Sequence, residues 1–347
     1  MTVVVAILGL ILLIVVHELG HMLTAKALGV RVPEFGVGFG PPLFRKKIGT
    51  TVYSLRLILL GGFAKMAGMN DGERGPDTYP AKAPWRRALI IFAGPFANIL
   101  AAVAILAVVL IVSGAVTGVK PVVRQVETGS MAARVGIHTG DRLVAIDGHR
   151  TESWQGFTQE VAKMRPGEDI SLTVERGGAE RTFTGELGAD RADPHRALVG
   201  VRPEVVRTRY GPVEAVGLAV GQVVKVSGLL GSFVVDVLRG ERSLYNNVTG
   251  PVGIASVGGA SVAQGFFPQL LALISINLAL FNLVPILPLD GGHLLFIGAE
   301  KMIGRPVSQE TMGRVAALGI ALVLMLFLFA TYADLSKIFT GRPFIPQ

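Results

Sequence analysis

From Val3 to Leu28 the chain is apolar almost without interruption (VVVAILGLILLIVVHELGHMLTAKAL) and long enough to cross a bilayer as a helix, yet its second half carries two histidines and a glutamate. A second apolar run, from about Ala88 to Val112, follows Trp85, Arg86 and Arg87, an aromatic and basic group suited to a membrane interface. A third runs from about Pro268 to Leu287 and a fourth from about Met312 to Ala333, each bounded by polar or Gly/Pro-rich sequence. These four runs are the expected spans. Residues 211–240 are nearly as apolar, but Glu214, Gln222, Lys225 and Asp236 interrupt them, so an amphipathic helix on the membrane surface is expected there. Between residues 42 and 66 the pattern changes to a loose alternation through Thr51, Val52, Tyr53, Ser54, Leu55, Arg56 and Leu57, flanked by Gly49 and Gly61-Gly62. That predicts a β-hairpin whose apolar content dips it toward the bilayer.

Charge places the runs relative to the membrane. Residues 41–87 hold Arg45, Lys46, Lys47, Arg56, Lys65, Arg74, Lys82, Arg86 and Arg87 against Asp71, Glu73 and Asp77, which predicts a cytoplasmic loop. With four spans, both termini and residues 116–265 then fall on the extracytoplasmic side, while Lys301, Arg305 and Arg314 fall in a second cytoplasmic loop. Of 347 residues, 50% are hydrophobic and 17% charged, and the mean hydropathy is +0.54, outside the range of soluble domains. The net charge of +8 sits beside apolar runs and not in aromatic-interleaved basic patches, so nucleic acid is not an expected partner. A cleaved signal peptide is not expected, since no basic residue precedes Val3 and the small-residue cleavage pattern is poor. The absence of cysteine excludes disulfides, thiolate metal sites and a cysteine nucleophile.

Any metal must therefore use His, Asp or Glu. His17-Glu18-Leu19-Gly20-His21 matches HExxH, whose i, i+4 spacing brings two imidazoles to one helix face with Glu18 beside them as general base. A structural reading would have to accept three ionisable groups at membrane depth without function. A hydrolytic zinc site takes a third protein ligand, and Asp290 in Pro285-Ile286-Leu287-Pro288-Leu289-Asp290-Gly291-Gly292-His293 stands out, because it ends an apolar span on the same side as His21. The prolines break the helix there, and the glycines are expected to free the backbone so that the carboxylate turns toward the metal. His293 is either an outer partner of a ligand or a structural residue, whereas His138, His149 and His195 read as solvated.

HELGH in the first span paired with LDGG after the third resembles the site-2 protease family of intramembrane zinc metalloproteases. Gly38-Phe39-Gly40-Pro41, Gly61-Gly62-Phe63, Ala93-Gly94-Pro95-Phe96-Ala97-Asn98 and Gly250-Pro251-Val252-Gly253 extend the resemblance to the bacterial branch of regulator-of-sigma-E protease type, over nearly the whole chain. The resemblance implies that Asn277 and Asn282 lie at the active site and hold substrate backbone. It also implies single-span substrates such as trimmed anti-sigma factors or signal-peptide remnants. Residues 129–148, with Gly129-Ser130-Met131-Ala132-Ala133 and Gly140-Asp141-Arg142-Leu143, look like part of a PDZ domain, and Asp147-Gly148 and Gly177-Gly178 fit tight turns between strands.

The expected fold is a polytopic α-helical membrane protein of about four spans with a membrane-associated β-hairpin and one inserted extracytoplasmic PDZ domain of mixed β/α type. Its divisions are residues 1–115, a PDZ domain at 116–206, surface helices at 207–265 and a second membrane core at 266–347. The expected activity is zinc-assisted peptide hydrolysis in a bacterial inner membrane, with metal ligands His17, His21 and Asp290 and catalytic Glu18, acting on single-span membrane proteins. The partners are those substrates, the lipid bilayer and a peptide ligand of the PDZ domain. The alternative is a membrane-anchored PDZ scaffold with an inactive site.

Overall fold

A computed structural model describes residues 2–69, 72–190, 195–243, 245, 250–305 and 307–340. Asp71, counted above in the basic loop, lies outside the described residues. The chain divides into two compact units, one formed by residues 1–109 and 211–347 and the other by residues 110–210.

In the first unit, α1 (Thr2–Ala27) buries His17 and His21 at 7% and 6% exposure while leaving Leu8, Leu12 and Leu23 more than half exposed. A helix that turns its polar groups inward and its leucines outward is stable only if the outside is apolar, as lipid is. Helix α2 (Pro84–Val112) behaves alike: Asn98 is fully buried, and Phe96 and Leu100 face out. The two helices meet where small residues allow it. A Cβ on Gly20 would stand 2.8 Å from Ala97 Cβ and collide with the Ala93 carbonyl, so glycine sets the close approach.

Helices α5 (Pro212–Leu238), α6 (Pro251–Gln264), α7 (Phe267–Asn282), α8 (Asp290–Ile303) and α9 (Gln309–Thr340) complete this unit among the described residues. Four helices are long and apolar enough to cross a membrane: Val4–Ala27, Pro84–Val112, Pro212–Val237 and Glu310–Thr340. The number agrees with expectation, but the third member differs. The 268–287 run yields a helix of only 16 residues, because Pro285 and Pro288 forbid its continuation and residues 283–289 form an irregular segment. In α5 the stripe Ala215, Ala219 and Val223 is buried, Val223 packing with Ala102 of α2 and Ala272 and Ile276 of α7, while Glu214 and Lys225 stay exposed.

The hairpin is longer than its sequence pattern, with β1 at Glu34–Ile48 and β2 at Thr51–Lys65 joined at Gly49-Thr50. Glu34–Val37 face two stretches of β2 at once, Val52–Leu55 and Gly62–Lys65. Val52–Leu55 also pair with Phe44–Lys47, so both of their flanks are taken, whereas Gly62–Ala64 pair on one side only. The bend between them carries Phe39, Leu43, Leu57 and Ile58, all more than half exposed. Arg56 ties that bend to the base of the hairpin by donating to Gly40 O at 3.1 Å and to Glu34 Oε1 at 2.8 Å.

The second unit contains β3 (Ala115–Val126), α3 (Met131–Val135), β4 (Arg142–Ile146), β5 (His149–Arg150), α4 (Trp154–Val161), β6 (Asp169–Arg176), β7 (Ala179–Glu186), β8 (Gly188–Ala189), β9 (Ala197–Leu198) and β10 (Val201–Thr208). Its main sheet runs β10-β3-β4-β6-β7, with β5 beside β4. Asp147 and Gly148, both at positive φ, make the tight turn between β4 and β5, and Gly177 and Gly178 make the one between β6 and β7. Ser130 and Ser153 cap the short helices through the backbone N–H groups of Ala133 and Gly156. The core gathers Met131, Leu143, Ile146, Phe157, Ile170, Leu172 and Val174. Beside it Arg176 makes two hydrogen bonds of 2.7 Å to the buried Asp141 carboxylate, which also accepts from the His138 N–H. Burial raises the Asp141 carboxyl, but the Arg176 and His138 hydrogen bonds outweigh it and hold the group below its usual range.

Candidate metal centre

One turn apart on α1, His17 and His21 aim their Nε2 atoms at each other across 3.2 Å. Asp290, in the first turn of α8, puts Oδ2 3.1 Å from His17 Nε2 and 3.4 Å from His21 Nε2. Three ligand atoms thus converge from two helices. A tetrahedral zinc ion with bonds of about 2.0–2.1 Å needs its donors about 3.3–3.4 Å apart, so the spacing fits the ion. Asp290 Oδ2 is buried and accepts no geometrically sound hydrogen bond, which leaves its charge for a cation.

Each imidazole is held from behind by α2. His21 Nδ1 donates to Ile90 O at 2.8 Å, and since a carbonyl only accepts, Nε2 is the nitrogen available to a metal. The amide of Asn98 lies 3.2 Å from His17 Nδ1. Gly94 makes room: a Cβ there would stand 2.5 Å from His21 Cε1 and 2.8 Å from Cδ2. Gly291 and Gly292 do not serve the expected purpose. Both lie within α8 and neither has positive φ; instead a Cβ on Gly292 would come within 2.6 Å of Ile286 C, and one on Gly291 would strike the Leu283 carbonyl. Their missing side chains let the 283–289 segment fold against α8, and that packing places Asp290.

The sequence pattern of Peptidase family M50 matches residues 5–326. The chain belongs to this family. It is 33% identical to "Putative zinc metalloprotease Atu1380" of Agrobacterium fabrum, over 96% of this chain and 95% of that one. It is 29% identical to the zinc metalloprotease RasP of Geobacillus kaustophilus, over 94% of this chain and 96% of that one. Among solved structures, the PDZ domain of the SdrC-like protein Lmo2051 from Listeria monocytogenes is 25% identical over 25% of this chain and 86% of that one, with a TM-score of 0.22. The protein is accordingly a membrane metalloprotease of the site-2 type.

In this M50 peptidase Glu18 lies beside the His–His–Asp cluster, with its Cγ 3.1 Å from the place a Gly62 Cβ would occupy. The one-sided strand Gly62–Ala64 therefore runs next to the carboxylate. Asn282, in the last turn of α7, donates to Leu278 O at 2.9 Å, and Asn277 on the same helix is exposed. His293 stands outside the cluster and lines a cavity of about 510 Å³ with Tyr79, Arg87, Leu287 and Glu300, where Arg87 and Glu300 pair at 2.6 Å. His138, His149 and His195 are exposed in the second unit. The sequence offered Asn98 only as part of a motif; a lone amide inside an apolar span was the signal that it had a partner.

Proposed function

We propose that this M50 peptidase hydrolyses peptide bonds within or at the edge of the spans of single-span membrane proteins, with His17, His21 and Asp290 as zinc ligands and Glu18 as general base. The observation that carries this reading is the trio of ligand atoms at 3.1–3.4 Å, buried on the inner face of an apolar-coated helix and next to Glu18. Zinc bound there would supply an activated water and polarise the scissile carbonyl. Glu18 takes a proton from the attacking water and returns it to the leaving amine as the C–N bond breaks.

A spanning helix hides its carbonyls in its own hydrogen bonds, so a substrate must unwind before attack. Strand addition would hold it extended; Val52–Leu55 are enclosed on both sides, so Gly62–Ala64, the one-sided strand beside Glu18, is the proposed partner. Asn277 and Asn282, near the end of α7, are the proposed further contacts to substrate backbone. The second unit is proposed to be an extracytoplasmic PDZ domain that takes extended peptide ends by strand addition. The basic residues of the 41–87 loop support a cytoplasmic placement of that loop, in a bacterial inner membrane.

The test is cleavage of a tagged single-span substrate by purified wild type and Glu18→Gln, with zinc content measured for both. Cutting by wild type and none by the zinc-loaded Glu18→Gln enzyme is expected; cleavage surviving in the mutant would overturn the assignment of Glu18. Helix-breaking residues in the substrate span should raise the rate, and equal cleavage of an unbroken poly-Leu span would count against local unwinding.

A further inference from the structure

We infer that Asn98 is a positioning residue of the metal centre, whose amide selects the His17 tautomer by presenting either its nitrogen or its oxygen to Nδ1. This rests on the metal-centre reading above. The partners of the two histidines differ in kind. Ile90 O faces His21 Nδ1 and only accepts, so it fixes one tautomer. Asn98 faces His17 Nδ1 with a group that both donates and accepts.

Nδ2 is the amide atom facing the ring, 3.2 Å from Nδ1; a donor there leaves Nδ1 as the acceptor and so selects the tautomer whose proton is on Nε2, the nitrogen 3.1 Å from Asp290 Oδ2. In that tautomer Nε2 carries a hydrogen and has no lone pair to give a metal. Metal ligation needs the opposite tautomer, with Nδ1–H donating outward and Nε2 bare. Rotating the Asn98 amide by a half turn brings Oδ1, which is buried and without a hydrogen-bond partner here, onto Nδ1–H. No net proton is gained or lost by the imidazole.

The residue is placed for this role. Asn98 is fully buried, and its backbone carbonyl accepts from Ser275 Oγ at 2.8 Å, so α7 holds the backbone and the amide stays beside the ring. A residue that merely filled space at this position would need no amide.

The experiment is zinc affinity by chelator competition on the full chain in detergent, for wild type, Asn98→Leu, Asn98→Asp and Gly298→Ala, with ¹⁵N resonances of the histidine rings recorded for each. Asn98→Leu leaves Nδ1 without a partner and should lower zinc affinity about 10–100-fold. Asn98→Asp provides a group that only accepts, favours the Nδ1–H tautomer and should bind zinc at least as tightly as wild type, with the His17 ring nitrogens shifted accordingly in the metal-free protein. Gly298→Ala, whose Cβ would meet nothing within 4 Å, should leave affinity unchanged. An Asn98→Leu protein that binds zinc like wild type, or an Asn98→Asp protein as weak as the leucine variant, overturns the proposal alone. A wild type that binds no zinc overturns the metal-centre reading and this proposal together.

Discussion

Gly94→Ala tests the geometry of the centre most directly, because it adds one methyl group and no charge. The new Cβ would lie 2.5 Å from His21 Cε1 and 2.8 Å from Cδ2, and nearest of all to Nε2. Ordinary carbon contacts need about 3.5–4.0 Å, so the ring must retreat by about 1 Å. It cannot do so by turning alone, since Nδ1 is tied to Ile90 O, one turn earlier on the same α2 helix. Either that hydrogen bond breaks or α2 backs away from α1, and in both cases Nε2 leaves its place opposite His17 and Asp290. A displacement of that size costs about 100-fold in rate. Overall stability should fall by no more than about 2 kcal/mol, because overpacking costs about 1–3 kcal/mol and replacing a mid-helix glycine by alanine returns about 1 kcal/mol. Gly298→Ala in α8 is the control, as its Cβ would meet nothing within 4 Å. Zinc affinity, thermal unfolding and cleavage of a single-span substrate, measured for both variants, separate the terms. A Gly94→Ala enzyme that matched wild type in zinc affinity and rate would refute the argument that this glycine exists to seat His21.

Replacing His17 or Asp290 by alanine should abolish tight zinc binding, since two remaining ligands do not make a closed site; retention of stoichiometric zinc in either variant would remove that residue from the ligand set. Gly62→Ala places a methyl 3.1 Å from Glu18 Cγ and 3.2 Å from Ile14 Cγ2, so turnover should fall while zinc content stays at the wild-type level, and a loss of zinc instead would mean that the hairpin supports the ligands. In the second unit, Asp141→Asn should destabilise at neutral pH by about 2 kcal/mol through the lost charged hydrogen bonds to Arg176. The folded carboxyl is held below its usual range, so its contribution is complete above about pH 4 and disappears as the pH falls through the lowered value. The stability gap between wild type and the Asp141→Asn variant should therefore close in acid; a gap that is constant with pH would show that the charge is not the source.

The grouping of the candidate ligands was legible in the linear sequence because its main signals are local. HELGH needs only the helical repeat to bring His17 and His21 together, and ionisable groups inside an apolar run are costly enough to mark a site wherever the helix lies. Asp290 was legible for a related reason, a carboxylate at the end of an apolar run on the side of His21. The tight turns at Asp147-Gly148 and Gly177-Gly178 were equally local, since positive φ is a property of the residue itself. What depends on two segments meeting was not legible. That Ile90 and Asn98 hold the histidines follows from the closeness of α1 and α2, which Gly20, Ala93 and Ala97 set jointly. That Gly291 and Gly292 yield space to the 283–289 segment, and do not loosen the backbone, depends on where that segment folds. Nor could alternation along residues 51–57 reveal that Val52–Leu55 have partners on both flanks while Gly62–Ala64 lie open beside Glu18. Side-chain alternation reports which face of a strand is buried and carries no information about which of its edges is free.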